Sequence, residues 1–188
     1  MSYLTYRLNI APSSAAYLPC VAQQLVTPVG ILQLNANPYG LSHLTVVGSS
    51  RTDIPLANNT ADDVNRAKAH ICEAVEQLEQ YFAGKRLEFE LALAPKGTDF
   101  QRQVWQALLD VDYGQSCSYA DIAEQIGRPK AVRAVGAANG ANPIAIIVPC
   151  HRVIGKNGKL TGYAYGLEMK QQLLMLESTS KRASFTLE

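Results

Sequence analysis

The tetrapeptide Ala94-Pro95-Lys96-Gly97 separates two stretches of different periodicity, and this change constrains the fold more than any other feature. Before it, residues 25–34 read as two short strands around a Pro28-Val29-Gly30 turn, residues 41–47 as a third strand, and residues 48–60 as a polar loop. Residues 62–82 then turn helical, because Val64, Ala67, Ile71, Val75, Leu78 and Phe82 recur at spacings of three and four, and Gly84 stops the helix. Residues 87–93 alternate and read as a returning edge strand. The expected first domain, residues 1–95, is a mixed α/β support unit without a chemical constellation.

Residues 96–188 are read as a second, mainly helical domain. Asp99 is the expected N-cap of a helix through Val104, Trp105, Leu108 and Leu109, and Ser118 the cap of a helix over 119–126 stopped by Gly127. After Arg128-Pro129 a further helix is expected over 130–139. Two short helices around a glycine-containing turn make a helix-turn-helix pattern. The second opens with Lys130 and Arg133 and otherwise carries small residues, among them Ala131, Ala134, Gly136, Ala137 and Ala138. Such a face suits close packing in a core as well as close approach to another surface.

Charge separates the halves further. Residues 1–95 hold 6 Lys/Arg against 8 Asp/Glu, whereas residues 96–188 hold 11 against 8. Within 125–167 there are Arg128, Lys130, Arg133, Arg152, Lys156 and Lys159 and no acid. A charge cluster is usually a solvated face, but an acid-free basic block is also the footprint of a phosphate-binding surface. Hydrophobic residues reach 47 %, enough for packed cores. The sequence lacks a signal-peptide pattern and any apolar run of the ~20 residues that cross a bilayer, so a soluble, intracellular, cytoplasmic protein is expected. Cys20, Cys72, Cys117 and Cys150 show no CxxC pairing, and His43, His70 and His151 no HExxH arrangement, so no metal is expected. No phosphate-cradling glycine loop is present, and no cofactor is implied.

The chemistry concentrates in residues 142–153, Asn-Pro-Ile-Ala-Ile-Ile-Val-Pro-Cys-His-Arg-Val. An aliphatic run ends in Pro149, and a thiol, an imidazole and a guanidinium follow. A free cysteine after an apolar strand is most often an inert core thiol. Here His151 and Arg152 are too polar to continue into a core, so the chain is expected to surface near Cys150. An imidazole and positive charge favour the thiolate, the nucleophilic form. Adjacent side chains do not face each other, so His151 would reach Cys150 through a bridging water and needs a second anchor to fix its tautomer. Glu177, in a helix expected over 168–177, is a candidate carboxylate; an ordinary solvated helix-end glutamate is the other reading. Residues 178–188 read as a polar tail.

The string Pro149-Cys150-His151-Arg152-Val153, preceded by Asn142-Pro143 and combined with Tyr119, Arg133-Ala134-Val135-Gly136 and Gly162-Tyr163-Ala164, resembles the O6-alkylguanine-DNA alkyltransferases, bacterial members most of all. The resemblance is dense over residues 100–177 and loose before them. It implies a small RNase H-like α/β domain followed by a mainly helical, winged-helix-like DNA-binding domain. It also implies a partner, double-stranded DNA carrying O6-alkylguanine or O4-alkylthymine, and a monomer that acts once, without cofactor.

By the same resemblance Cys150 is the alkyl acceptor, His151 the water-linked base and Glu177 the carboxylate that orients it. Asn142 stabilises the turn holding the cysteine. Tyr119 crowds the target's phosphate and can donate a proton to the departing guanine. Arg133 fills the gap left by the flipped nucleotide, and Arg128, Lys156 and Gln101 contact the DNA backbone. Tyr163, with Ala164, Tyr165 and Val153, walls the substrate pocket. An extruded base costs a few kcal/mol of unstacking, which an inserted side chain partly offsets.

Two departures stand out. Relatives typically read Gly-Tyr-Ala-Gly-Gly-Leu where this chain has Gly162-Tyr163-Ala164-Tyr165-Gly166-Leu167, and Met169 replaces the common arginine. The zinc ligands of some animal members are not evident. Two other readings are a module that binds alkylated bases without repairing them and a cysteine hydrolase built on Cys150 and His151. Proteins of the first kind carry tryptophan in place of the cysteine. The second has no oxyanion-hole signature and leaves the basic block unexplained.

Overall fold

The computed structural model describes Leu8, residues 18–49 and residues 53–185, the side chains of 180–185 excepted. Residues 186–188 of the expected polar tail lie outside the described residues. The chain forms two compact units, one of residues 1–79 and 89–96, the other of residues 80–88 and 97–188.

The first unit is built on an antiparallel meander of β1 (Val21–Thr27), β2 (Gly30–Asn37) and β3 (Gly40–Val46). Period-two alternation puts Leu32 and Leu34 on one face, with Leu44 opposite Leu34, and all three are wholly buried. The turn at Pro28-Val29 joins two strands as the sequence predicts, and it pairs Val26 with Ile31. Helix α1 (Ala61–Phe82) turns its apolar stripe inward, and Ala67 and Ile71 cluster with Ala36 of β2. Gly84, at φ +69°, ends it in the left-handed conformation that the sequence predicts there.

Residues 87–93 do not form the expected strand. Leu93 alone bridges, in parallel, to Leu41 and Leu8. The reason is a side chain: the Gln77 amide accepts the Glu90 N–H at 2.7 Å and donates to its carbonyl at 2.8 Å, replacing the ladder there. The segment still runs close to β3. A Cβ on Gly40, at φ +150°, would stand 2.4 Å from the Ala92 carbonyl oxygen, so glycine is required.

The second unit is helical. Helix α2 (Asp99–Leu109) is capped by Thr98, not by Asp99 as expected. Thr98 accepts the Gln101 N–H at 3.2 Å and Gln101 Oε1 accepts the Thr98 N–H at 2.9 Å, a reciprocal box that a cap at Asp99 could not make. Ser118 caps α3 (Tyr119–Gln125) in the same way through Asp121, and Gly127 follows at φ +69°. Helix α4 is Val132–Gly140, two residues later than expected. Pro129 disfavours helical backbone at Arg128, and a turn closed by the Ala131 N–H on the Arg128 carbonyl (2.8 Å) leaves Lys130 outside the helix. Trp105 of α2 donates its indole N–H to the Ala138 carbonyl of α4 at 2.9 Å. Two short parallel strands, β4 (Cys117–Ser118) and β5 (Val153–Ile154), flank the helix-turn-helix. Helix α5 runs from Leu167 to Phe185, well past the expected end at 177.

Candidate active site

The aliphatic run before Cys150 is a knot of turns. Ile146 has φ +70°, the only non-glycine residue with positive φ among those described, and the Ile147 N–H bonds the Ala145 carbonyl at 2.8 Å. This is a γ-turn of the strained hand, on a β-branched residue, costing about 1–3 kcal/mol. Buried Asn142 holds it. Its Oδ1 accepts the Ile144 N–H at 3.0 Å, and its Nδ2 faces the Val148 carbonyl at 2.8 Å, the Ile144 carbonyl at 3.2 Å and Cys150 Sγ at 3.1 Å. One amide thus fixes both the turn and the sulfur.

Cys150, His151 and Arg152 form a single 3-10 turn leading into β5. The chain does not surface here as expected: Cys150 is 5 % exposed, His151 0 % and Arg152 6 %. Their polarity is satisfied internally by Glu177, which is 0 % exposed and not a solvated helix-end residue. Glu177 Oε1 accepts from His151 Nε2, Arg152 Nη2 and the Tyr81 hydroxyl, each at 2.9 Å. Its Oε2 accepts from Arg152 Nε at 2.9 Å and the Gly114 N–H at 3.2 Å. Arg152 also donates to the Val111 carbonyl at 2.5 Å and lies 5.7 Å over the Tyr113 ring.

Burial alone would raise the Glu177 pKa, but the His151 hydrogen bond and the hydrogen bonds and charge of Arg152 outweigh it and hold the carboxyl at about 2. Burial acts on His151 in the opposite sense and lowers its pKa against the pull of Glu177. The imidazole is therefore neutral, with its proton on Nε2 facing the ionised carboxylate. Nδ1 keeps the lone pair, is buried and has no hydrogen-bond partner among the described residues.

Cys150 lies in the wall of a cavity of about 210 Å³. Tyr119, Asn139 and Asn142 line it together with residues 162–165, and Gly136 and Gly140 of α4 leave room along one side. Tyr163, Ala164 and Tyr165 thus meet the cysteine, and the Tyr163 and Tyr165 rings pack edge to face at 5.6 Å. Burial, with Cys150 nearby, pushes the Tyr163 hydroxyl well above the usual phenol range, so it stays protonated. Val153 does not line the cavity. It is fully buried and paired with Cys117 in the short sheet, because a strand residue there points into the core.

Arg133 is exposed on α4, Arg128 stacks at 5.5 Å on the Phe100 ring, and Lys156 is exposed beyond β5. Gln101 spends its side-chain oxygen on the α2 cap. The structure does not bring these four to the cavity wall.

Sequence reading missed Tyr81, Gly114, Arg152 as an internal partner, and Lys170. The Lys170 side chain is wholly buried and donates to the Val153 and Thr161 carbonyls at 2.6 and 2.7 Å, tying β5 to the segment before the pocket loop. On α5 it shares an inward stripe with Met169, Leu173 and Glu177. The spacing of Lys170 and Glu177 with Leu173 was the available signal, hidden because charged residues were read as facing out.

A sheet-based unit and a helix-turn-helix unit that encloses a buried cysteine beside a His–Glu pair define the class: a two-domain protein with an internal thiol site. Residues 23–95 match the ribonuclease-like domain of 6-O-methylguanine DNA methyltransferase, and residues 99–179 match its DNA-binding domain. The methylated-DNA–protein-cysteine methyltransferase of Methanosarcina barkeri is 52 % identical over 157 residues, 83 % of this chain and 96 % of that protein. That of Mycolicibacterium paratuberculosis is 51 % identical over 161 residues, 86 % and 94 % of the two chains. A Mycobacterium tuberculosis OGT solved in complex with DNA superposes with a TM-score of 0.73 at 46 % identity, covering 85 % of this chain and 93 % of that one. The chain belongs to the 6-O-methylguanine DNA methyltransferase family, with its ribonuclease-like domain followed by its helical DNA-binding domain.

Proposed function

We propose that this protein repairs alkylated duplex DNA by moving the alkyl group of O6-alkylguanine, or of O4-alkylthymine, onto Cys150. A cysteine sulfur in the cavity wall, held by Asn142 at 3.1 Å beside a buried neutral imidazole anchored on Glu177, carries this reading. Residues 96–188 bind DNA and react, and residues 1–95 support them. The protein works as a cytoplasmic monomer; among the described residues no helix is long and apolar enough to cross a membrane.

The flipped nucleotide enters the cavity while Arg133 occupies its place in the stack, and Arg128, Lys156 and Gln101 hold the phosphates. His151 Nδ1 takes the Cys150 proton through a bridging water, and Glu177 steadies the imidazolium that forms. The thiolate attacks the alkyl carbon in line, the S–C bond forms as the C–O6 bond breaks, and the electron pair leaves with guanine. Tyr119, whose hydroxyl is 3.4 Å from Thr161 Oγ1 at the cavity rim, supplies a proton to the departing base. The thioether is a poor leaving group, so each protein molecule reacts once.

Peptide mapping after incubation with an O6-methylguanine duplex tests the reading. A mass gain of about one methylene on the Cys150 peptide alone is the expected result. Transfer that persists in Cys150→Ser would overturn it, and binding without any mass change would favour a non-repairing recognition module.

A further inference from the structure

The carboxylate of Glu177 has two partners that neither the 150–152 turn nor α5 supplies, the Gly114 N–H and a side chain, Tyr81. Tyr81, in the last turn of α1, is wholly buried and donates its hydroxyl to Glu177 Oε1 at 2.9 Å. Its ring is wedged edge-on against Phe82 at 5.2 Å and against Tyr113 at 6.0 Å, and Arg152 covers the far ring of that pair. The hydroxyl therefore cannot swing away without moving three aromatic rings.

Glu177 receives five hydrogen bonds, and three of them converge on Oε1. An ionised carboxylate offers about four lone-pair sites over its two oxygens, so the donors on Oε1 compete. Whatever electron density Tyr81 draws from that oxygen is withheld from His151. In a buried network such polarisation passes from bond to bond.

We propose that Tyr81 is a positioning residue of the transfer site that sets the basicity of His151 through Glu177, and so the pH at which Cys150 becomes reactive. The proposal rests on the reading of Cys150 as nucleophile and His151 as its base. The sign follows from the chemistry. A phenol donor stabilises the carboxylate anion and weakens its hold on the imidazole N–H. Removing the donor makes Glu177 a stronger acceptor, favours the imidazolium, and favours proton transfer from Cys150. Strengthening the donor does the reverse.

The experiment is the pH dependence of Cys150 alkylation by iodoacetamide in the full-length protein, followed by mass spectrometry on the Cys150 peptide so that Cys20, Cys72 and Cys117 do not contribute. Tyr81→Phe keeps the wedged ring and should move the midpoint down by at least about 0.3 pH units, a twofold change in thiolate fraction at a given pH. Incorporating 3-fluorotyrosine at position 81 keeps ring and hydroxyl but makes a stronger donor, and should move the midpoint up. A residue that merely fills space would move neither, so unmoved midpoints, or shifts of both in one direction, overturn the proposal. His151→Gln is measured alongside. A midpoint moved there but unmoved in Tyr81→Phe removes Tyr81 alone, whereas one unmoved in His151→Gln removes the relay itself.

Discussion

His151 Nε2 lies 2.9 Å from Glu177 Oε1, and neither side chain has any exposed surface. The two are 26 positions apart in sequence, joined only because α5 lays its inward stripe beside the reactive turn. Glu177 also neutralises Arg152. Removing its charge strands a guanidinium in the interior, and breaking a buried pair in this way costs about 3–5 kcal/mol. Glu177→Gln should therefore lower the urea midpoint sharply as well as slow transfer, whereas His151→Ala should slow transfer with a smaller loss of stability and near-unchanged DNA affinity. Parallel denaturation and transfer assays check this; a Glu177→Gln protein as stable as the parent would contradict the buried pairing.

Acid should destabilise the fold through the same pair. The Glu177 pKa is depressed to about 2, so its contribution is present above the unfolded carboxyl value of roughly 4.3 and lost as pH falls toward 2. The His151 pKa is lowered as well, so its contribution is present above the unfolded value of roughly 6.5 and declines below it. Both act in one direction. Unfolding free energy should fall steadily from pH 7 to pH 3, and less steeply below pH 4.5 in Glu177→Gln, as urea titrations at several pH values would show.

Asn142→Ala should be costly for a small change. It deletes the donor shared by Ile144, Val148 and Cys150 and releases a turn whose Ile146 is held at φ +70°. Unpaired buried carbonyls cost about 1–3 kcal/mol each, so a loss of about 2–4 kcal/mol is expected, with transfer slowed at least tenfold. Normal stability with normal transfer would show that the turn holds itself.

Arg133→Ala should reduce repair of duplex DNA far more than reaction with the free alkylated base, since an inserted side chain matters only when a nucleotide leaves the stack. Equal losses on both substrates would move Arg133 from the DNA face to the fold.

Tyr165 stands in the cavity wall with its ring edge-on to Tyr163. It narrows the site at the position where the family resemblance leads one to expect glycine, and should exclude benzyl-sized groups while sparing methyl. In Tyr165→Gly the transfer rate from benzylguanine should rise several-fold with methyl transfer nearly constant. Rates that move together on both substrates would place the effect on the loop.

Much of the architecture was legible from local pattern. The hairpin around Pro28-Val29, the α1 stripe of Val64 to Phe82, the Ser118 cap and the Gly127 turn depend on neighbours within a few residues, and the sequence carries those directly. Cys150 stood out from its neighbours Pro149, His151 and Arg152, whereas Asn142 and the Tyr163–Tyr165 loop were singled out only by the family resemblance. The misjudged features turned on side-chain partners, local for the α2 cap and distant for the rest. The 87–93 strand gave way to Gln77, the Asp99 cap to a Thr98–Gln101 box, and the surfacing expected at Cys150 to burial. A guanidinium enters a core only where its charge and donors are met, and no local pattern announces that Glu177 meets those of Arg152. Tyr81, Gly114 and Lys170 reach the site for the same reason: the fold brings their donors to acceptors that chain order keeps apart. By itself the sequence marked Cys150 as the candidate thiol and outlined the helix-turn-helix of its unit. Tertiary structure decided the charge state around it, because burial and pairing exist only once distant side chains share one interior.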